Sequence, residues 1–115
     1  MNTVNLTGRL TADPDLRYDG NGRPTTLVRV AVIDHRNADS DIVFIDVVTF
    51  GARAQTAAHH LRKGRLIAVE GRLVQSEGAN QHRRWQKHQV VASSIDFLDA
   101  PSAANSNGAP VPANR

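Results

Sequence analysis

The chain has 115 residues, 40% of them hydrophobic, no cysteine, and a formal net charge of +3. This is one domain's worth of chain with enough apolar residues for a core, which argues against global disorder. The missing cysteine excludes a disulfide scaffold, a zinc ribbon, an iron–sulfur site and thiol chemistry.

The first segment, Val4, Leu6, Gly8 and Leu10, alternates apolar or small residues with polar ones, the period of a half-buried strand. The opening MNTVNLTGRL lacks the basic and apolar segments of a secretory signal, so the expected compartment is the cytoplasm. No apolar run approaches the roughly 20 residues that span a bilayer. Asp13-Pro14 and Asp19-Gly20-Asn21-Gly22 are turn signals. Leu27–Ile33 reads as a second strand, with Val28, Val30 and Val32 on one face. A polar loop over Asn37–Asp41 precedes a third strand, Ile42–Phe50. One face of that strand carries Val43, Ile45 and Val47; the other carries Phe44, Asp46, Val48 and Phe50.

The period then changes. Ala54, Ala57, Ala58 and Leu61 form the stripe of a short helix over Ala52–Arg62. Gly64 is positioned as its C-terminal cap. Arg65–Val74 reads as a fourth strand, Gln75–Arg84 as a polar loop, and Trp85–Ala92 with Ile95–Leu98 as one bent strand that completes the sheet. The domain runs from residue 1 to 99. Residues 100–115, rich in Pro, Ala and Asn, read as a disordered tail.

A mostly β chain of this size must bury one sheet face and protect its edges, and a small closed barrel does both. Five strands with one short helix between the third and fourth is the order of the OB-fold, a five-stranded Greek-key barrel.

Catalytic and metal sites find little support. His59 and His60 are adjacent on a helix and point apart, and His82 and His88 lack a carboxylate at ligand spacing. No Walker A, G-x-S-x-G or G-x-G-x-x-G pattern is present. The chain reads as a non-enzyme without cofactor or metal. Charge points to binding instead. Residues 1–46 carry net −2, residues 47–95 net +6. A one-sided basic half suits an anionic polymer.

Two faces of one strand cannot both serve a small core. With Val43, Ile45 and Val47 supplying one, Phe44 and Phe50 stand on the other, which is either covered by a subunit interface or exposed for a purpose. Exposed rings beside Arg and Lys are what single-stranded nucleic acid requires, with bases stacking and cations tracking phosphate. Phe50 is favoured as a stacking residue, and Phe44 is balanced between stacking and core. Trp85, following Arg83 and Arg84, reads as a further stacking residue at a hairpin base, and Tyr18 as a packed cap. Arg9, Arg29, Arg36, Arg53, Arg62, Lys63, Arg65 and Arg72 are phosphate candidates.

The residues also resemble a family. Asn2 to Tyr18, followed by Asn21-Gly22, is similar to the opening of bacterial single-stranded DNA-binding proteins. So are Val47–Gly51, Leu61–Gly64, Val69–Leu73 and Gln89–Ala92 leading to Phe97-Leu98. The similarity covers about residues 2–99, as five motifs in order. It implies a homotetramer of OB-folds that binds single-stranded DNA irrespective of sequence, at the nucleoid, in replication, recombination or repair. A primosome-type or RNA-binding OB protein is the alternative.

By position, Phe50 matches the family's stacking phenylalanine, Phe44 replaces a stacking tryptophan, and Lys63 matches a phosphate-contacting base, with Arg62 beside it. Two further family tryptophans fall near Arg36 and Gly78, where Arg36 retains a stacking guanidinium and Trp85 offers a substitute ring. Asp46 occupies a basic position and is expected to repel phosphate, giving weaker binding or a smaller footprint. The acidic tip that recruits repair and replication partners is missing after Asp99, so those partners are not expected and the chain resembles a short, tailless or paralogous member.

Overall fold

The computed structural model describes residues 1–36, 41–79 and 81–98. It contains β1 (Val4–Leu10), β2 (Asp15–Tyr18), β3 (Pro24–Asp34), β4 (Asp41–Phe50), α1 (Ala52–His60), β5 (Leu66–Ala79) and β6 (Arg84–Phe97). The expected tail from Ala100 and most of the Asn37–Asp41 loop lie outside the described residues.

The sheet closes on itself. Its order is β1-β5-β6-β4-β3-β2, and β1 also pairs with β3 through Arg9–Ala31 and Leu10–Val30. Five strands thus ring a core, and β2 is added along β3. All described pairings are antiparallel except β4 with β6. This is the expected OB-type barrel, with its helix between β4 and β5.

The period-two faces of the sequence fill it. Leu10, Val28, Val30, Val47, Ile67, Val69, Val90 and Ala92 form the core with Ala57 and Leu61. Gly8 belongs to that face, and a Cβ there would collide with the Ala31 carbonyl and the Val30 side chain. A hydrogen at this position lets β1 approach β3 closely enough to close the ring. The helix buries Ala54 and Ala57 and packs on β3, β4 and β2. The Thr26 hydroxyl donates to the Ala54 carbonyl at 2.7 Å inside the core, fixing the helix to β3. None of the described helices is long and apolar enough to cross a membrane.

Four expectations are corrected. Asp15–Tyr18 is a strand paired with Pro24–Leu27, and Tyr18 is exposed rather than a packed cap. The polar segment Gln75–Arg84 is largely strand: β5 runs to Ala79 and β6 starts at Arg84, so a two-stranded arm projects from the barrel. Gly64 does not cap the helix, which stops at His60 with Leu61 extended. Its φ of +88° instead serves the turn in which the Arg65 amide donates to the Arg62 carbonyl. Val43 shares the inward parity of Val47, yet it is 52% exposed because the core ends at Ile45.

The late strand is continuous, as expected, with its bend at a bulge. Glu70 pairs with Ser94 and Gly71 with Ala92, leaving Ser93 unpaired in the ladder. Its hydroxyl donates to the Glu70 carbonyl at 3.0 Å.

Candidate nucleic-acid interface

Directly paired residues on neighbouring strands share a face of the sheet. On β4, Phe44 pairs with Ala31, Asp46 with Arg29, Val48 with Leu27 and Phe50 with Thr25. The other edge of β4 sets Asp46 beside Gln89 and Val48 beside Val91. Across β6, Val91 pairs with Arg72, Lys87 with Ser76 and Trp85 with Gly78. The outward side of β3, β4, β6 and β5 is therefore one surface. It carries Arg29, Phe44, Phe50, Arg72, Trp85 and Lys87.

The three rings on this surface are at least partly exposed, and the two phenylalanines lie beside cations. Phe44 is 51% exposed, with the Arg29 guanidinium 5.4 Å from its ring centre. Phe50 is half-buried, with the Arg23 guanidinium at 4.9 Å. Both distances suit cation–π attraction. Trp85 is 44% exposed and lies over Gly78, where a Cβ would collide with the indole. The missing side chain at 78 makes room for the ring.

Between the rings sits a buried carboxylate. Asp46 is 5% exposed and outward-facing. Arg29 Nη1 lies 3.1 Å from its Oδ1 and Lys87 Nζ 2.5 Å from its Oδ2. A carboxylate removed from water requires such partners. The expected acidic blemish is thus a three-charge cluster with a net charge of +1.

The remaining candidates divide. Arg9 is on the outward side next to Ala31, and its Nη1 donates to the Gly64 carbonyl at 2.9 Å. Arg62 folds onto the end of α1, its Nη1 donating to the Leu61 carbonyl at 2.6 Å and the Ala58 carbonyl at 3.2 Å. Lys63 is exposed in the following turn, which is pinned by its amide donating to Asp13. Arg36 is exposed at the far end of β3, its Nε 3.8 Å from Asp34. Arg84 opens β6, where alternation directs it away from Trp85, and Arg83 precedes it in the connection. Arg53 is exposed on α1, whereas Arg65 covers Phe97 at 5.4 Å.

Sequence reasoning missed Arg23 and Lys87. Lys87 stands two residues after Trp85 on one strand, which was sufficient to put both on one face. Arg23 needed the β3–β4 register, because only that pairing brings the start of β3 to Phe50. Among the described residues, no group of three or more His, Asp or Glu could hold a metal ion.

The family model of the single-strand binding protein family matches residues 1–98. The chain is 36% identical over 112 residues to the single-stranded DNA-binding protein of Enterococcus faecalis, covering 94% of this chain and 60% of the relative. It is 36% identical over 110 residues to single-stranded DNA-binding protein A of Bacillus subtilis, covering 92% and 64%. With the single-stranded DNA-binding protein of Thermotoga maritima the identity is 36% over 116 residues, covering 90% and 77%. The chain thus spans less than two thirds of the length of the first two relatives. A barrel with an outward row of aromatics and cations, matched by a family model over nearly its whole described length, belongs to the single-strand binding protein family.

Proposed function

We propose that this chain binds single-stranded DNA without reading its sequence, as a non-catalytic protein of replication, recombination or repair in the cytoplasm. One observation carries the reading: Phe44, Phe50 and Trp85 stand on one continuous outward surface, the two phenylalanines each under a guanidinium. Every base has a face to stack on such rings, and each stack is worth about 1–3 kcal/mol. Duplex DNA hides those faces. Arg72 and Arg9 on the same side, with Lys63 beyond the helix, supply the phosphate contacts.

Assembly as a homotetramer is part of this proposal. It is supported by an apolar groove at the barrel mouth, lined by Val4, Leu6, Val32, Val43, Ile45 and Leu73. Val43 on its lining is more than half exposed in the single chain.

The test is titration of labelled oligo(dT) by anisotropy at two salt concentrations, with equal lengths of duplex and RNA as competitors. The expected result is salt-sensitive binding that duplex does not displace, with quenching of Trp85, the only tryptophan. Displacement by RNA as effective as by DNA would move the reading to RNA. No binding at low salt would refute it.

A further inference from the structure

The outward surface has two cations that are already committed. Arg29 and Lys87 come from β3 and β6, on either side of β4, and both close on the Asp46 carboxylate. Arg29 is in addition the guanidinium over Phe44. We propose that Asp46 is a positioning and specificity-determining residue: it anchors Arg29 beside the Phe44 ring and withholds Arg29 and Lys87 from phosphate. The inference rests on the single-strand binding proposed above and assigns the means by which duplex is rejected.

Phosphate competes with the Asp46 carboxylate for these two cations. A phosphate that took either cation would have to share it with the carboxylate or draw it away, and either weakens the pairing of a buried charge, which is unfavourable. Duplex DNA offers this surface only phosphate, so it forfeits those contacts. A single strand loses them too, but gains stacking on Phe44 and Trp85, which needs no free cation. The carboxylate therefore lowers affinity for both forms and lowers it proportionally more for duplex. Its side chain is buried, so it acts through Arg29 and Lys87 rather than by touching nucleic acid.

The test is Asp46→Asn, which preserves volume and retains an oxygen that can accept from Arg29. Binding of oligo(dT) and of a duplex is measured across a salt series, after thermal denaturation has shown that the variant folds. Two released cations should steepen the slope of log affinity against log salt by up to about 1.4 for the single strand and about 1.8 for duplex. Duplex binding at low salt should rise at least tenfold, and more than oligo(dT) binding. Adding Lys87→Gln to Asp46→Asn should remove about half of the gain in slope. A folded Asp46→Asn protein with unchanged slopes and unchanged duplex binding would overturn the proposal and reduce Asp46 to a structural role.

If the wild type bound no oligonucleotide, the proposed function would fail, but the duplex arm would still decide on Asp46, because freed cations bind phosphate with or without stacking. If Asp46→Asn did not fold, Lys87→Gln alone decides. A committed Lys87 contributes less than half a unit to the single-strand slope, whereas a loss of about 0.7 would place it on phosphate and refute the assignment.

Discussion

Phe44 and Val47 are three residues apart on β4 and face opposite sides, so truncating each should break a different property. Val47 is fully buried. Val47→Ala removes two methyl groups worth about 0.8 kcal/mol each and leaves a cavity, for a total of about 2–3 kcal/mol. In a domain of this size that lowers Tm by roughly 8–24 °C. Phe44 is half in water already and opens to solvent when truncated, so no sealed cavity forms. Its loss from the fold is about 1 kcal/mol, or about 4–8 °C. Its loss from binding is one base stack, about 1–3 kcal/mol, which weakens affinity about 5- to 150-fold. The assays are thermal denaturation and oligo(dT) anisotropy, at one protein concentration because assembly is linked to stability. Val47→Ala should retain affinity at temperatures where it is folded. The reasoning is refuted if Phe44→Ala lowers Tm as much as Val47→Ala while oligo(dT) affinity stays within twofold of wild type.

Three further outcomes are expected. Lys63→Ala should flatten the single-strand salt slope by about 0.7 without moving Tm, since the side chain is exposed; an unchanged slope removes it from the phosphate path. Gly78→Ala should leave the barrel folded but push the Trp85 indole off its seat. Its tryptophan emission should shift, and quenching by oligo(dT) should fall; wild-type emission and quenching would contradict the placement of the ring. Thr26→Val should cost about 1–2 kcal/mol by orphaning a buried bond to the Ala54 carbonyl, read as a Tm loss of roughly 4–16 °C.

The barrel was legible wherever a strand has one dry side. Val4, Leu6, Gly8 and Leu10 alternate because only one face of β1 meets the core, and the same holds for Val28, Val30 and Val32. The helix was legible from Ala54, Ala57 and Leu61, which meet the core at helical spacing. The β5 side of the β5–β6 arm was not, because most of Gln75–Ala79 is exposed. A strand wet on both faces has no reason to alternate, and it reads as loop. Asp15–Tyr18 was hidden in the same way, as a short, mostly exposed strand framed by turn residues. Gly64 was misassigned because a positive φ is needed equally by a helix cap and by the turn before β5.

The order of the residues alone determined which side chains of a strand lie on the same face, since alternation is a local property of extended backbone. It separated Phe44 and Phe50 from Ile45 and Val47 before any fold was known. What it left undecided was which outward residues of different strands meet. That depends on register, and register in a closed ring is set by all the strands at once. Arg23 beside Phe50, Lys87 on Asp46 and Trp85 over Gly78 are products of that closure. Asp46 shows the difference most clearly: by position it is a negative charge facing phosphate, and only the folded barrel brings two cations from neighbouring strands to cover it.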